Sequence, residues 1–174
     1  MRVIGVDPGS AVTGFGVIQR RGGGFEHIVA GVIRPSSRAS YPDKLRTIYE
    51  RLCDLIGQYG PDAMSLERSF VAVNVQSAFR LGEARAMALL AAAAHGLELF
   101  EYAPAHVKLT VAGHGRADKS QVKFMVRRTL AMNETLALAD DAADALAIAL
   151  CHLNIARFPP SEPRGRRPGV NAPL

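Results

Sequence analysis

Residues 2–16 read Arg2-Val3-Ile4-Gly5-Val6-Asp7-Pro8-Gly9-Ser10-Ala11-Val12-Thr13-Gly14-Phe15-Gly16, and the rest of the chain is organised around them. Arg2 to Val6, apolar and rich in β-branched residues, predicts a short buried strand. That strand delivers Asp7 to a Pro-Gly turn, and Gly14 and Gly16 open a second strand, Phe15 to Arg20. A carboxylate at the end of a buried strand needs compensation, since even a neutral polar group left unpartnered in apolar surroundings costs about 2–7 kcal/mol. Two roles fit Asp7. It can shape its own turn, because Asp-Pro-Gly is favourable turn chemistry, or it can hold a cation. Other carboxylates arriving at the same place would decide between them.

Working outward, Arg21-Gly22-Gly23-Gly24 predicts a turn into a third strand, Phe25–Ile33. Short connections make these three strands antiparallel neighbours. Arg34 to Pro42 reads as a loop. From Asp43 the apolar residues Leu45, Ile48, Tyr49, Leu52, Leu55 and Ile56 share one helical face, with Gly57 and Gly60-Pro61 closing the helix. Ala63 to Glu67 predicts a fourth strand that again ends in an acid. After the loop Phe70-Val-Ala-Val-Asn74, a long helix spans Val75 to Ala94. Arg80, Glu83 and Arg85 fall on its wet side. Its second half, Ala86 to Ala94, is apolar all round, which places it either between the sheet and a second subunit or in the interior.

Gly96 ends that helix, and Leu97 to Tyr102 makes a fifth strand, parallel to the fourth through a right-handed crossover. Pro104 to Val111 reads as a short helix carrying His106 and Lys108. A Gly-rich basic loop, Gly113 to Ser120, leads into a basic helix from Gln121 to Leu130, and the last helix runs from Asp140 to Arg157. The fold class is therefore α/β: a mixed five-stranded sheet, three strands antiparallel and two added in parallel, flanked by helices. Residues 1–157 form one domain. Residues 158–174, with five prolines, three arginines and no periodicity, predict a disordered basic tail.

A chain of 174 residues with 48% hydrophobic content can bury a substantial core. No apolar run reaches the length of a membrane span, and Met1 leads into the first strand without a signal pattern. Cys53 and Cys151 occupy apolar helix positions without metal-ligand spacing, which suits reduced thiols in a cytoplasmic protein. The net charge of +5 favours a polyanionic partner, and the basic residues gather in Arg116 to Arg128 and in the tail.

Three places send carboxylates to one edge of the sheet. Asp7 leaves the first strand and Glu67 the fourth, and parallel neighbours end on the same side, about 4.8 Å apart. Asp141 and Asp144 share one face in the first turn of the last helix. Acids there also simply favour the helix dipole, and Asp140 stands beside Asp141 with equal access to that turn. Four converging acids repel one another and call for a cation. Hard oxygen donors select Mg²⁺ or Mn²⁺, and two such ions bridged by carboxylates suit in-line displacement at phosphorus. The loop at Asp118-Lys119-Ser120, with Lys108 and Arg116, offers backbone N–H groups and positive charge to a phosphate. Asp118 can equally cap the helix with Gln121 in a capping box. Phe70, in a loop three residues after Glu67, is a candidate to stack on an unpaired base, though a loop aromatic taken singly is more often partly buried packing. His114 and His152 are weaker candidates, His152 lying about 16 Å along the helix from Asp141.

These residues resemble the RuvC family of Holliday-junction endonucleases, which have the ribonuclease-H-like fold. The matches are Gly5-Val-Asp7-Pro-Gly-Ser-x-x-Thr-Gly-x-Gly16, the strand ending in Glu67, Ser77-Ala-x-x-Leu-Gly-x-Ala-Arg85, Val107-Lys108-x-Thr-Val-x-Gly113, Asp118-Lys-Ser-Gln-Val122 and Asp141-Ala-Ala-Asp144-Ala-Leu-Ala147. They occur in order and cover nearly everything but the tail. Ala86-Met87, where the family pattern has a glycine, is a departure. The resemblance implies a homodimer that nicks opposed strands of a four-way DNA junction symmetrically with Mg²⁺ or Mn²⁺, two ions per site, alongside the RuvA–RuvB branch-migration complex. It implies that Asp7, Glu67, Asp141 and Asp144 are the catalytic and metal-binding acids, and that Phe70, Lys108 and Lys119 contact DNA; Arg80 and Arg116 are further candidates for DNA contact. Actin-like ATPases share such hairpins but need two lobes, and a pure binding module gains nothing from four acids facing phosphates. A single-strand nuclease of the same fold is the nearest competitor.

Overall fold

The computed structural model describes residues 1–68, 75–133, 135 and 137–155. Phe70 and the predicted tail lie outside the described residues. The elements are β1 (Arg2–Asp7), β2 (Thr13–Arg21), β3 (Gly24–Ile33), α1 (Tyr41–Tyr59), β4 (Ala63–Glu67), α2 (Val75–Ala94), β5 (Glu98–Tyr102), α3 (Pro104–Ala112), α4 (Lys119–Thr129) and α5 (Asp140–Ile155). They form one sheet in the order β3-β2-β1-β4-β5. β1 pairs antiparallel with β2, and β2 with β3, whereas β1–β4 and β4–β5 are parallel. This is the mixed sheet expected from the sequence.

Successive side chains of a strand point to opposite faces, and β1 divides the core accordingly. Val3 packs with α3, α4 and α5 on one face, while Ile4 and Val6 pack with α1 and α2 on the other. All three are fully buried. Gly5 and Asp7 therefore share the α5 side with Val3. The β2–β3 turn needs only Gly22 and Gly23, both at positive φ (55° and 84°), the backbone that a two-residue hairpin with the right twist demands.

Several boundaries differ from expectation for local reasons. β1 includes Asp7, which pairs with Gly14, so the acid sits in the ladder rather than after it. α1 starts at Tyr41 instead of Asp43, because Ser40 accepts a hydrogen bond from the Asp43 N–H and Pro42 fits a first turn, where its missing N–H costs nothing. Gly57 is inside α1, and Gly60 alone closes it, with φ 54° and its N–H bonded to the Ile56 carbonyl at 2.9 Å. α4 starts at Lys119, with Asp118 and Gln121 making the full capping box.

Within the single chain the helix buried on every side is α5, and the second half of α2 keeps an exposed face, which overturns the interior alternative for it. Every α5 residue from Ala145 to Leu153 is buried, as are Ala142 and Ala143. α5 touches all five strands. Its large side chains Leu146, Ile148, Leu150 and Leu153 each contribute about 1.5–3 kcal/mol by leaving water. By contrast, α2 buries only the face carrying Ala84, Ala88, Ala91 and Ala92, and leaves Val75, Phe79, Leu89 and Leu90 exposed.

Candidate active site

The close seat of α5 on the sheet is what assembles the acids. A Cβ on Gly5 would lie 2.0 Å from the Ala145 carbonyl oxygen, and one on Gly14 only 1.9 Å from that of Asp141. Glycine is therefore required at both positions for the helix backbone to touch the strands. Gly14 is also the ladder partner of Asp7. The first turn of α5 is thus pressed against the strand pair that carries Asp7, and Asp141 arrives beside it. Upstream, the Thr13 hydroxyl donates to the Gly9 carbonyl at 2.8 Å and accepts from the Gly9 N–H at 3.3 Å, closing the Pro-Gly turn.

Electrostatics record the convergence. Burial pushes the Asp7 carboxyl up to about 7, and the negative charges of Asp144, Glu67 and Asp141 push the same way, opposed by Lys119. Burial also raises Glu67, reinforced by Asp144 and opposed by Lys119 and Lys108. Lys119 donates to Asp144 at 3.3 Å, and Asp144 holds the lysine's proton more firmly in return. Asp140 turns outward and pairs with Lys123 at 2.7 Å; it is not among the charges acting on Asp7.

The other predicted residues divide. Lys108, on α3, acts on Glu67 through its charge. Arg116 is exposed in the α3–α4 connection, and Arg80 lies exposed with its guanidinium 5.8 Å from the Tyr41 ring centre. Neither is among the charges acting on Asp7 or Glu67. His114 is exposed at the start of the same connection. His152 is a core residue: fully buried, kept neutral down to about pH 4 by desolvation, and bonded through Nδ1 to the Tyr102 hydroxyl at 2.6 Å.

Arg85 corrects the sequence reading. It is not on the wet side of α2: its side chain is 18% exposed, and it donates to the Glu67 carbonyl at 2.8 Å and to the Glu101 carboxylate. Its spacing gave a usable signal, since Arg85 stands three residues before Ala88 and seven before Ala92, on the face that α2 buries.

The donor set is four carboxylates with hard oxygens and mutual repulsion, which fits a divalent cation such as Mg²⁺ or Mn²⁺. Among the described residues, no three acid, histidine or cysteine side chains are already closed into a metal-holding group. The acids converge within electrostatic reach, with Lys119 supplying the positive charge between them.

The family model described as crossover junction endodeoxyribonuclease RuvC matches residues 3–152. The chain belongs to the RuvC family. A RuvC of Solidesulfovibrio magneticus is 46% identical over 156 residues, covering 90% of this chain and 91% of the relative. The structure of Thermus thermophilus RuvC in complex with a Holliday junction substrate superposes with a TM-score of 0.82 at 32% identity, covering 88% of this chain and 93% of that one. The yeast mitochondrial Holliday junction resolvase Ydc2, at 14% identity, a TM-score of 0.62 and coverage of 86% and 76%, shares the fold alone. With RuvC structures as neighbours, the sheet is the ribonuclease-H-like one that the family resemblance implied.

Proposed function

We propose that this RuvC-family chain is a metal-dependent endonuclease that resolves four-way DNA junctions by paired, symmetric nicks. The observation that carries the proposal is the meeting of Asp7, Glu67, Asp141 and Asp144 where the ends of β1 and β4 face the start of α5, with Lys119 and Lys108 within electrostatic reach. RuvC nucleases are metal-dependent as a class. Here the four acids would hold two Mg²⁺ or Mn²⁺ ions, whose chemistry is to activate water and stabilise the leaving oxygen. The chain's own residues do the rest. The carboxylates fix the site at the sheet edge, and α5 excludes water from behind it. Lys119 and Lys108 offer charge to the phosphate backbone, with Arg80, Arg116 and Phe70 as further DNA contacts.

The exposed apolar face of α2 supports a homodimer. Val75, Phe79 and Leu90 are 73%, 69% and 51% exposed, and they line one helix. An apolar surface of this kind is the usual mark of a protein interface. Two copies joined along α2 would present two sites to one junction. Residues 1–157 form the nuclease domain and 158–174 a basic appendage. The protein works in the cytoplasm beside a RuvA–RuvB branch-migration complex. Among the described residues no helix is long and apolar enough to cross a membrane.

The test uses a labelled four-way junction and a linear duplex of matching sequence, each with Mg²⁺ or EDTA. We expect paired symmetric nicks in the junction, dependent on metal. Efficient cutting of the linear duplex, or cutting in EDTA, would remove the proposal.

A further inference from the structure

We propose that Arg85 is a positioning residue that ties α2 to the acid-bearing end of β4, so that the helix with the exposed apolar face sets where Glu67 stands. The proposal rests on the reading of Glu67 as a metal ligand.

Glu67 is the last residue of β4. A strand end is where a ladder frays, yet two bonds hold this one. The Arg68 N–H donates to the Tyr102 carbonyl at 2.8 Å, and the Glu67 carbonyl accepts from Arg85 Nη1 at 2.8 Å. The second arm of the same guanidinium is held by Glu101, the residue before Tyr102 on β5. Glu101 is shared, since Arg68 Nε stands 3.7 Å from its other oxygen. A planar guanidinium presents a rigid fork of donors that bonds both targets at once, whereas an ammonium is a compact point charge without that fixed geometry. Arg85 is the residue that carries this contact out of the sheet and into α2. Its neighbours Ala84 and Ala88 are fully buried against the core. Such close packing leaves the helix little freedom to slide without carrying the guanidinium, and with it the Glu67 backbone. Away from that buried face α2 carries the exposed Phe79 and Leu90. Whatever covers that face is linked to the Glu67 backbone through the Arg85 side chain.

The experiment compares wild type with Arg85→Met, Arg85→Lys and Glu101→Gln, using Glu67→Gln as the control, all in the full chain. Mn²⁺ binding is measured by calorimetry without DNA, and junction cleavage is followed across a Mn²⁺ titration. Junction affinity in EDTA and thermal unfolding are recorded on the same samples. Losing an outer partner of a metal ligand typically costs 10–100-fold in metal affinity. We expect Arg85→Met to weaken Mn²⁺ binding about 10-fold and to raise the half-saturating Mn²⁺ for cleavage by the same factor. Junction affinity in EDTA should stay within about twofold, with Arg85→Lys and Glu101→Gln intermediate in metal affinity. An Arg85→Met protein that melts earlier but binds Mn²⁺ like wild type would make Arg85 merely structural and overturn the proposal. Should Arg85→Met fail to fold, wild-type Mn²⁺ affinity in both Arg85→Lys and Glu101→Gln would overturn it equally. Glu67→Gln separates the two levels. If it binds Mn²⁺ as wild type does, the reading of Glu67 falls and takes this proposal with it; if it binds weakly while the Arg85 variants are normal, only Arg85 is wrong.

Discussion

Replacing Gly14 by alanine adds one methyl group at the seam between β2 and α5, and the structure sets its cost. The new Cβ would stand 1.9 Å from the Asp141 carbonyl oxygen, 2.4 Å from its carbonyl carbon and 3.0 Å from its Cβ. Real Cβ contacts essentially never fall below 3.0 Å, so the strand and the first turn of α5 must part by at least about 1.1 Å. Both obstacles nearest the methyl are backbone, so no rotamer change relieves the clash. Overpacking of this kind costs about 1–3 kcal/mol of stability. With Asp141 as a proposed metal ligand the functional effect should be larger, because Asp141 is itself the displaced residue and a misplacement of about 1 Å at a reacting centre can cost roughly 100-fold in rate. Gly14→Ala should therefore fold, lose up to about 3 kcal/mol in urea titration, and cleave a four-way junction about 100-fold more slowly under single-turnover conditions. Its junction affinity in EDTA should match wild type, since the methyl is buried under α5 and away from the basic side chains. A Gly14→Ala protein that cleaves at the wild-type rate would refute the idea that contact between β2 and α5 places Asp141.

Asp7→Asn should abolish cleavage and, in EDTA, stabilise the protein increasingly as pH rises. The Asp7 carboxyl holds its proton up to about pH 7 when folded, against 3.8 normally. Between those values the unfolded chain releases a proton that the native state keeps, so wild-type stability falls with pH. The advantage of Asp7→Asn should grow by about 2–4 kcal/mol from pH 4 to pH 8 in denaturant titrations, and a pH-independent difference would count against the buried, repelled carboxyl. If two copies join along α2 as proposed, Leu90→Glu should weaken dimerisation about 100-fold, since two copies of a Leu worth about 1.5 kcal/mol each would leave that interface; sedimentation that shows an unchanged dimer would exclude that face. Lys119→Ala should lower the slope of log affinity against log salt by about one if Lys119 meets a phosphate. An unchanged slope would confine Lys119 to its pairing with Asp144.

What the sequence disclosed depended on range. Strand order was legible because short Gly-rich turns and a right-handed crossover leave few arrangements. The acids were legible because two of them stand at the ends of apolar runs and two share a helix turn. Arg85 was misplaced because a charged residue on a helix is assigned to water by default, and no local pattern reveals the Glu67 carbonyl waiting for it. Gly5 and Gly14 were visible as glycines, but their purpose was not. It lies in α5, more than a hundred residues further along the chain. Phe70 was readable as a candidate but falls outside the described residues.

The seating of α5 against all five strands also fixes when the site can exist during folding. Asp7 and Glu67 belong to strands, Asp141 and Asp144 to the last described helix, so the four meet only after the most sequence-distant contacts have formed. Such contacts form late because closing long loops is entropically costly. The same docking event covers one whole face of the sheet. An intermediate with the sheet formed but α5 undocked would have an open core and only two of the four proposed metal ligands. Hydrogen exchange should accordingly find β1 and α5 opening together, at the free energy of global unfolding. The nuclease is competent as a whole or not at all.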